Sequence, residues 1–393
     1  MDASESQGSW RQLESSLRTP INPRWEEEEG YSPLVADELQ HVFVLLQTAE
    51  ERDASLQADA RLRSCFQRPH SRHQRLQLFY ALGLTFLRLG EMELAQTTVE
   101  TALDLADRLP DLAATAELMY LAGSVAYATG AYKPGADYLT SAGALLTQLG
   151  DEDDPADTAL MIDALSTNAL CLYTLQAYPA AWAAVKEARL LVARPPGDPL
   201  RAGTLALLAA LLHRWTGDPA RGLQEAMAGA EAYAEWGVTR IQRLYLARLQ
   251  RVVAECALDL AEASAPHLTG LGHDTYLRIA RPAIQRTLAL ARETDDAASG
   301  GMALLVQARE QRLRGKQTNR LATIAAVIES AEELEDPALA ILAYTARGEE
   351  LAARNEREAA LDSFQTADDV SLQYQMPVLG VIARRALGQA SEE

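Results

Sequence analysis

The side chains of this chain that could do covalent chemistry are few and scattered. His267, His273 and Asp274 form the densest group of metal-ligating types, and three donors without a fourth make a poor zinc site. Cys65, Cys171 and Cys256 are too few for a disulfide framework, contain no CxxC pair, and have no histidine placed to activate them. There is no GxSxG elbow and no HExxH. The nearest approach to a phosphate loop, Gly315-Lys316-Gln317-Thr318, lacks the upstream glycine and the hydroxyl residue directly after lysine, so it reads as a turn that ends a helix. No catalytic residue, metal or cofactor is assigned. A helical enzyme working from the His267/His273 loop is the least supported reading.

What remains is the chemistry of recognition. Tyrosine and tryptophan offer large contact area at low entropic cost, and arginine binds carboxylates bidentately. Two arginine clusters stand out in a chain of 36 basic and 55 acidic residues: Arg61, Arg63, Arg68, Arg72 and Arg75, and then Arg240, Arg243, Arg248 and Arg251 on one face of a long predicted helix. Each is either a solvated, ion-paired face or a contact for an anionic partner. The net charge of −19 argues against direct binding to nucleic acid or to an anionic membrane surface. No run of about 18 apolar residues occurs, and no basic, apolar leader opens the chain. The expectation is a reduced, cytoplasmic protein.

The elements that must position these residues are helices. Alanine and leucine dominate, aromatic residues make up 6%, and no strand-like alternation is visible. Asp-Pro pairs at 154–155, 198–199, 218–219 and 336–337 mark helix starts, with aspartate accepting from the free N–H groups and proline suiting the first helical position. Residues 1–32, with Trp10, Trp25 and the run Glu26–Glu29, carry no apolar period and are expected to be a flexible acidic tail, docked on the body or on a partner.

A repeat runs through the rest. Leu82-Gly83-x-x-Phe86-x-x-x-Gly90, followed by Ala95, Val99 and Ala102, returns as Ala122-Gly123-x-x-Ala126-x-x-x-Gly130, followed by Gly135, Leu139 and Ala142. Looser copies surround Gln176, Gly217 and Gly315. The last is Gly348-x-x-Leu351-x-x-x-Asn355, with Ala360, Phe364 and Ala367. Small residues would let paired helices approach, glycine or asparagine would end the first helix in a left-handed turn, and the larger apolar residue of the second helix would fill the gap against the next unit. Between Gly217 and Gly315 the interval is 315 − 217 = 98 residues, about two periods plus an insertion at 237–293.

These residues resemble the tetratricopeptide (TPR) repeat, and the roughly 40-residue period is similar to that in the sensor regions of bacterial signalling regulators, such as the maltose-regulator type and the peptide-sensing quorum family. The resemblance implies an all-α, right-handed α-solenoid of about seven helical hairpins. The expected layout is capping helices at 33–69, repeats over 70–375, and a capping helix and tail at 376–393. It also implies a concave groove lined by the first helix of each pair. In that register Tyr80, Arg88, Tyr120, Tyr127, Tyr173, Arg214, Trp215, Arg309 and Arg312 point inward, aromatic first and basic later. The implied function is a non-enzymatic scaffold or regulatory sensor for a protein or peptide segment, whose acid lies toward the arginine end. The alternative is a ligand-responsive component of transcriptional control working through a separate DNA-binding partner. The sequence leaves a homo-oligomer open.

Overall fold

A computed structural model describes residues 30–392 except 49–51, 90, 109–110, 150–154, 195–197, 237–239, 265–270, 316–319, 335 and 375. The turn at Gly90, the start at Asp154, His267 and most of the acidic N-terminal segment with its two tryptophans lie outside the described residues. Among the described residues there are seventeen α-helices and no strand. They are α1 (Pro33–Thr48), α2 (Arg52–Phe66), α3 (Arg72–Leu89), α4 (Met92–Ala106), α5 (Leu112–Ala128), α6 (Tyr132–Leu149), α7 (Pro155–Thr174), α8 (Tyr178–Val192) and α9 (Pro199–Trp215). The chain continues with α10 (Pro219–Trp236), α11 (Arg240–Ser264), α12 (Leu271–Glu293), α13 (Ala297–Leu313), α14 (Arg320–Glu333), α15 (Pro337–Ala352), α16 (Arg357–Gln373) and α17 (Pro377–Glu392).

From α3 onward, consecutive helices pair as A and B members of hairpins: α3/α4, α5/α6, α9/α10, α11/α12, α13/α14 and α15/α16. Helices α7 and α8 follow one another in the chain through the turn at Gln176. The division between two compact units runs through them: one reaches to Leu172 and takes in Lys186–Leu191, the other holds Tyr173–Val185 and everything from Val192.

The local chemistry of the hairpins follows the motif. Gly130, Gly217 and Gly315, and also Gln176 and Asn355, hold positive φ between 60° and 86°. At Gly130 the chain closes a Schellman turn, with Ala131 N–H donating to the Ala126 carbonyl at 2.8 Å and Gly130 N–H to Tyr127 at 3.1 Å. The same pair of bonds recurs at Gly217 and at Asn355. Gly315 likewise ends α13, its N–H donating to the Arg312 carbonyl at 2.9 Å. Aspartates 198, 218 and 336 accept from the backbone N–H three residues on, at 3.0–3.1 Å, as N-caps should.

The close approach of A and B helices differs from expectation in one respect. A Cβ on Gly123 would lie 2.4 Å from Leu139 Cγ, and one on Gly348 would lie 2.4 Å from Phe364 Cε1. The large B-helix residue thus fills a notch in its own hairpin, because the A helix crosses it directly at that level. The long 98-residue interval is also resolved. Helix α11 contacts α9 on one side and α13 on the other, so α11/α12 takes its own place in the stack, with helices of 25 and 23 residues carrying the extra length. Pro282 sits inside α12, and the Arg314 guanidinium donates to the nearby Leu277 carbonyl at 2.9 Å.

Ala95 and Ala360 are fully buried where A and B helices touch. Ala95→Leu and Ala360→Leu are each expected to cost about 1–3 kcal/mol, since added methylenes find no room in a packed interface. Equilibrium denaturation checks this, and unchanged midpoints in both variants would contradict the packing register.

Candidate functional site

In the first unit the A helices α3 and α5 pack side by side, and they carry Tyr80, Arg88, Tyr120 and Tyr127. Arg88 is exposed. Tyr80 is half-buried and stacks on Phe43 of α1, ring centroids 6.0 Å apart and 28° between planes. Tyr120 and Tyr127 are half-buried against the cluster around Ala136, Leu139 and Cys171, and Tyr127 meets Tyr132 at 5.8 Å. These rings pack against their neighbours and stay partly exposed, as amphipathic aromatics do.

In the second unit Tyr173 touches Tyr178 at 6.2 Å and Trp215 at 6.3 Å, the latter nearly edge-on at 70°. All three are partly exposed. Burial pushes the Tyr173 and Tyr178 phenols above their ordinary range, so both stay neutral donors at physiological pH. Next to this trio, Trp182 lies against His213 at 4.5 Å.

The arginines require a correction. The expected basic end of the face is not basic, because the chain supplies its own carboxylates there. Arg214 binds Asp259 at 2.7 Å and Glu255 at 2.5 Å, and Glu255 also holds Arg251. Arg309 binds Asp259 at 2.8 Å and Glu262 at 2.6 Å, while Arg312 reaches Glu262 at 3.5 Å and Glu349 at 3.0 Å. The result is a ladder of four guanidinium and four carboxylate groups in strict alternation, crossing the four A helices α9, α11, α13 and α15. Burial alone would raise the pKa of Glu255 and Asp259; Arg251 and Arg214 outweigh it at Glu255, and Arg214 and Arg309 at Asp259, so both carboxyls stay below their usual range. The sequence pattern that could have found this is on α11, where Arg251, Glu255, Asp259 and Glu262 follow at intervals of four, four and three along one face.

The two predicted arginine clusters are also largely accounted for within the chain. Arg61 pairs with Glu38 at 2.8 Å, Arg63 with Asp59 at 2.8 Å, and Arg75 lies over the Phe79 ring. Arg72 is exposed and Arg68 half-buried. On α11, Arg243 faces Glu293 at 3.9 Å, Arg248 lies over Tyr245, and Arg251 belongs to the ladder; the Arg240 side chain lies outside the described residues. The described members of the second cluster, Arg243, Arg248 and Arg251, are therefore divided among different neighbours.

Of the histidine pair, His273 lies within the described residues. His273 Nδ1 lies 3.0 Å from the Ala261 carbonyl, a hydrogen bond that ties the start of α12 to the end of α11. No group of three or more metal-ligating side chains occurs among the described residues. All three cysteines are buried, and burial pushes the Cys171 and Cys256 thiols up to about 12, which keeps them protonated and unreactive. No described helix is long and apolar enough to cross a membrane.

Notched hairpins closed by left-handed turns define a TPR-like helical-repeat fold. Among solved structures, the apo quorum sensor NprR of B. thuringiensis superposes with a TM-score of 0.64 at 10% identity, over 93% of this chain and 94% of that one. A Rap protein complexed with competence and sporulation factor gives 0.59 at 14% identity, over 92% and 98%, and apo RapI gives 0.53 at 11%, over 80% and 99%. At these identities the likeness is one of fold. No family model and no curated sequence matches the chain.

Proposed function

We propose that the protein is a non-enzymatic regulatory sensor or scaffold that takes a peptide or protein segment on the faces of its A helices, in a cytoplasmic setting. The observation that carries this is the partly exposed trio Tyr173, Tyr178 and Trp215 set beside the ion ladder. Aromatic rings held edge to edge supply a rigid apolar anchor, and the ladder supplies fixed donors and acceptors at its border. The Rap protein with its bound factor supports the reading as a fold precedent. Because the ladder neutralises itself, the ligand is selected by apolar contact and hydrogen bonds, and an acidic segment gains no special advantage from Arg309 and Arg312. In the first unit, Tyr80, Tyr120 and Tyr127 form a second candidate anchor of the same kind.

The test is selection of binders from a displayed random-peptide library, followed by calorimetric titration of the selected peptides. Trp215→Ala or Tyr127→Ala should weaken a peptide anchored on that ring by about 1–3 kcal/mol while circular dichroism stays that of wild type. If no peptide is selected, or if both folded variants bind like wild type, the A-helix faces are not the binding surface.

A further inference from the structure

The ladder has a connectivity that separate ion pairs lack. Asp259 on α11 is shared by Arg214 of α9 and Arg309 of α13, and Glu262 is shared by Arg309 and Arg312. Arg312 in turn holds Glu349 of α15. Freeing Asp259 would release α11 from α9 and α13 at once, and Arg312, which holds both Glu262 and Glu349, ties α15 into the same row. Protection falls along the row: Glu255 is 12% and Asp259 24% exposed, whereas Glu262 and Glu349 reach 37% and 40%. The rungs at the Glu255 end are thus screened from solvent, and Glu349 at the other end is open to an outside charge.

We infer that the ladder is a built-in coupling device: it makes the junctions α9–α11, α11–α13 and α13–α15 loosen or tighten together, with Glu349 as the rung through which an external charge acts on the whole row. Each junction then has a bonded and a loosened arrangement, and the groups shared between junctions, Asp259 and Arg312, bias neighbouring junctions toward the same one. The inference concerns the free protein and does not depend on what binds.

Hydrogen exchange on the intact chain tests it. Glu349→Gln removes one charge at the exposed end, where folding is least at risk. Amide exchange should rise by a factor of about three or more not only in α13 and α15 but also at the α9 end near Arg214, which Glu349 does not touch. The control is Glu350→Gln, which breaks the separate set formed by Glu350 with Arg320 and Arg354 and should leave α9 unchanged. Combining Arg214→Lys with Glu349→Gln should shift the denaturation midpoint by other than the sum of the single shifts. Exchange changes confined to α13 and α15, equal changes at α9 in the Glu350 control, or additive midpoints would overturn the inference.

Discussion

Replacing Gly203 with alanine is expected to destabilise the second unit by about 3 kcal/mol, the upper end for overpacking a rigid core. A Cβ at that position of α9 would sit 2.0 Å from Cε2 and 2.4 Å from Cδ2 of Tyr233 on α10, far inside contact distance. The ring has nowhere to go. It is 2% exposed, its hydroxyl donates to the Leu200 carbonyl at 2.8 Å and lies 3.2 Å from Thr204, and its face stacks on Tyr245 at 5.9 Å. Relief must therefore come from separating two helices along their contact. Thermal and urea denaturation measure the loss. Tyr233→Leu in the same chain should recover part of it, giving a favourable coupling between the sites, because a smaller side chain vacates the position of the new methyl. A variant as stable as wild type would mean that α9 and α10 do not cross here.

Arg214→Met should cost a comparable amount, about 3 kcal/mol, the low end for breaking a buried ion pair because a quarter of the arginine side chain still meets solvent. The loss arises less from the missing attraction than from what stays behind. Glu255 and Asp259 would share a partly buried site with Arg251 and Arg309 at its edges and no cation between them. The pH dependence gives the sign. In the wild type, both carboxyls titrate below their ordinary values of 4.5 and 3.8, so their contribution is fully present above those values and is lost as pH falls through the lower, folded ones. Without Arg214 burial regains weight and both carboxyls move upward, so less stability is left to lose on acidification. Denaturation midpoints collected down into the acid range should show a shallower decline for Arg214→Met than for wild type. Parallel declines would show that Arg214 does not set the charge of these two groups.

The architecture was legible because its causes are local. The small residues at 83, 123 and 348 and the turn residues Gly130, Gly217, Gly315 and Asn355 act through backbone conformation and side-chain volume, both of which a single stretch of sequence displays. The Asp-Pro starts are local in the same way. The candidate face was half legible. The register placed Tyr173 and Trp215 at comparable levels of successive A helices, and they do meet. It could not show that Arg214, Arg309 and Arg312 are neutralised, because their partners lie 37 to 47 residues away in the chain. Glu255, Asp259 and Glu262 looked like ordinary surface acids of one helix until α9 and α13 were laid beside it. Sequence by itself thus determined which residues turn and cap the helices, since those choices answer to neighbours three to five positions away, whereas the partners that fill the glycine notches, such as Leu139 for Gly123, came from the packed hairpin. Only the tertiary structure decided the charge of the A-helix face, because a charged group's net effect depends on every opposite charge within a few ångströms, and the stack, not the chain order, sets which those are.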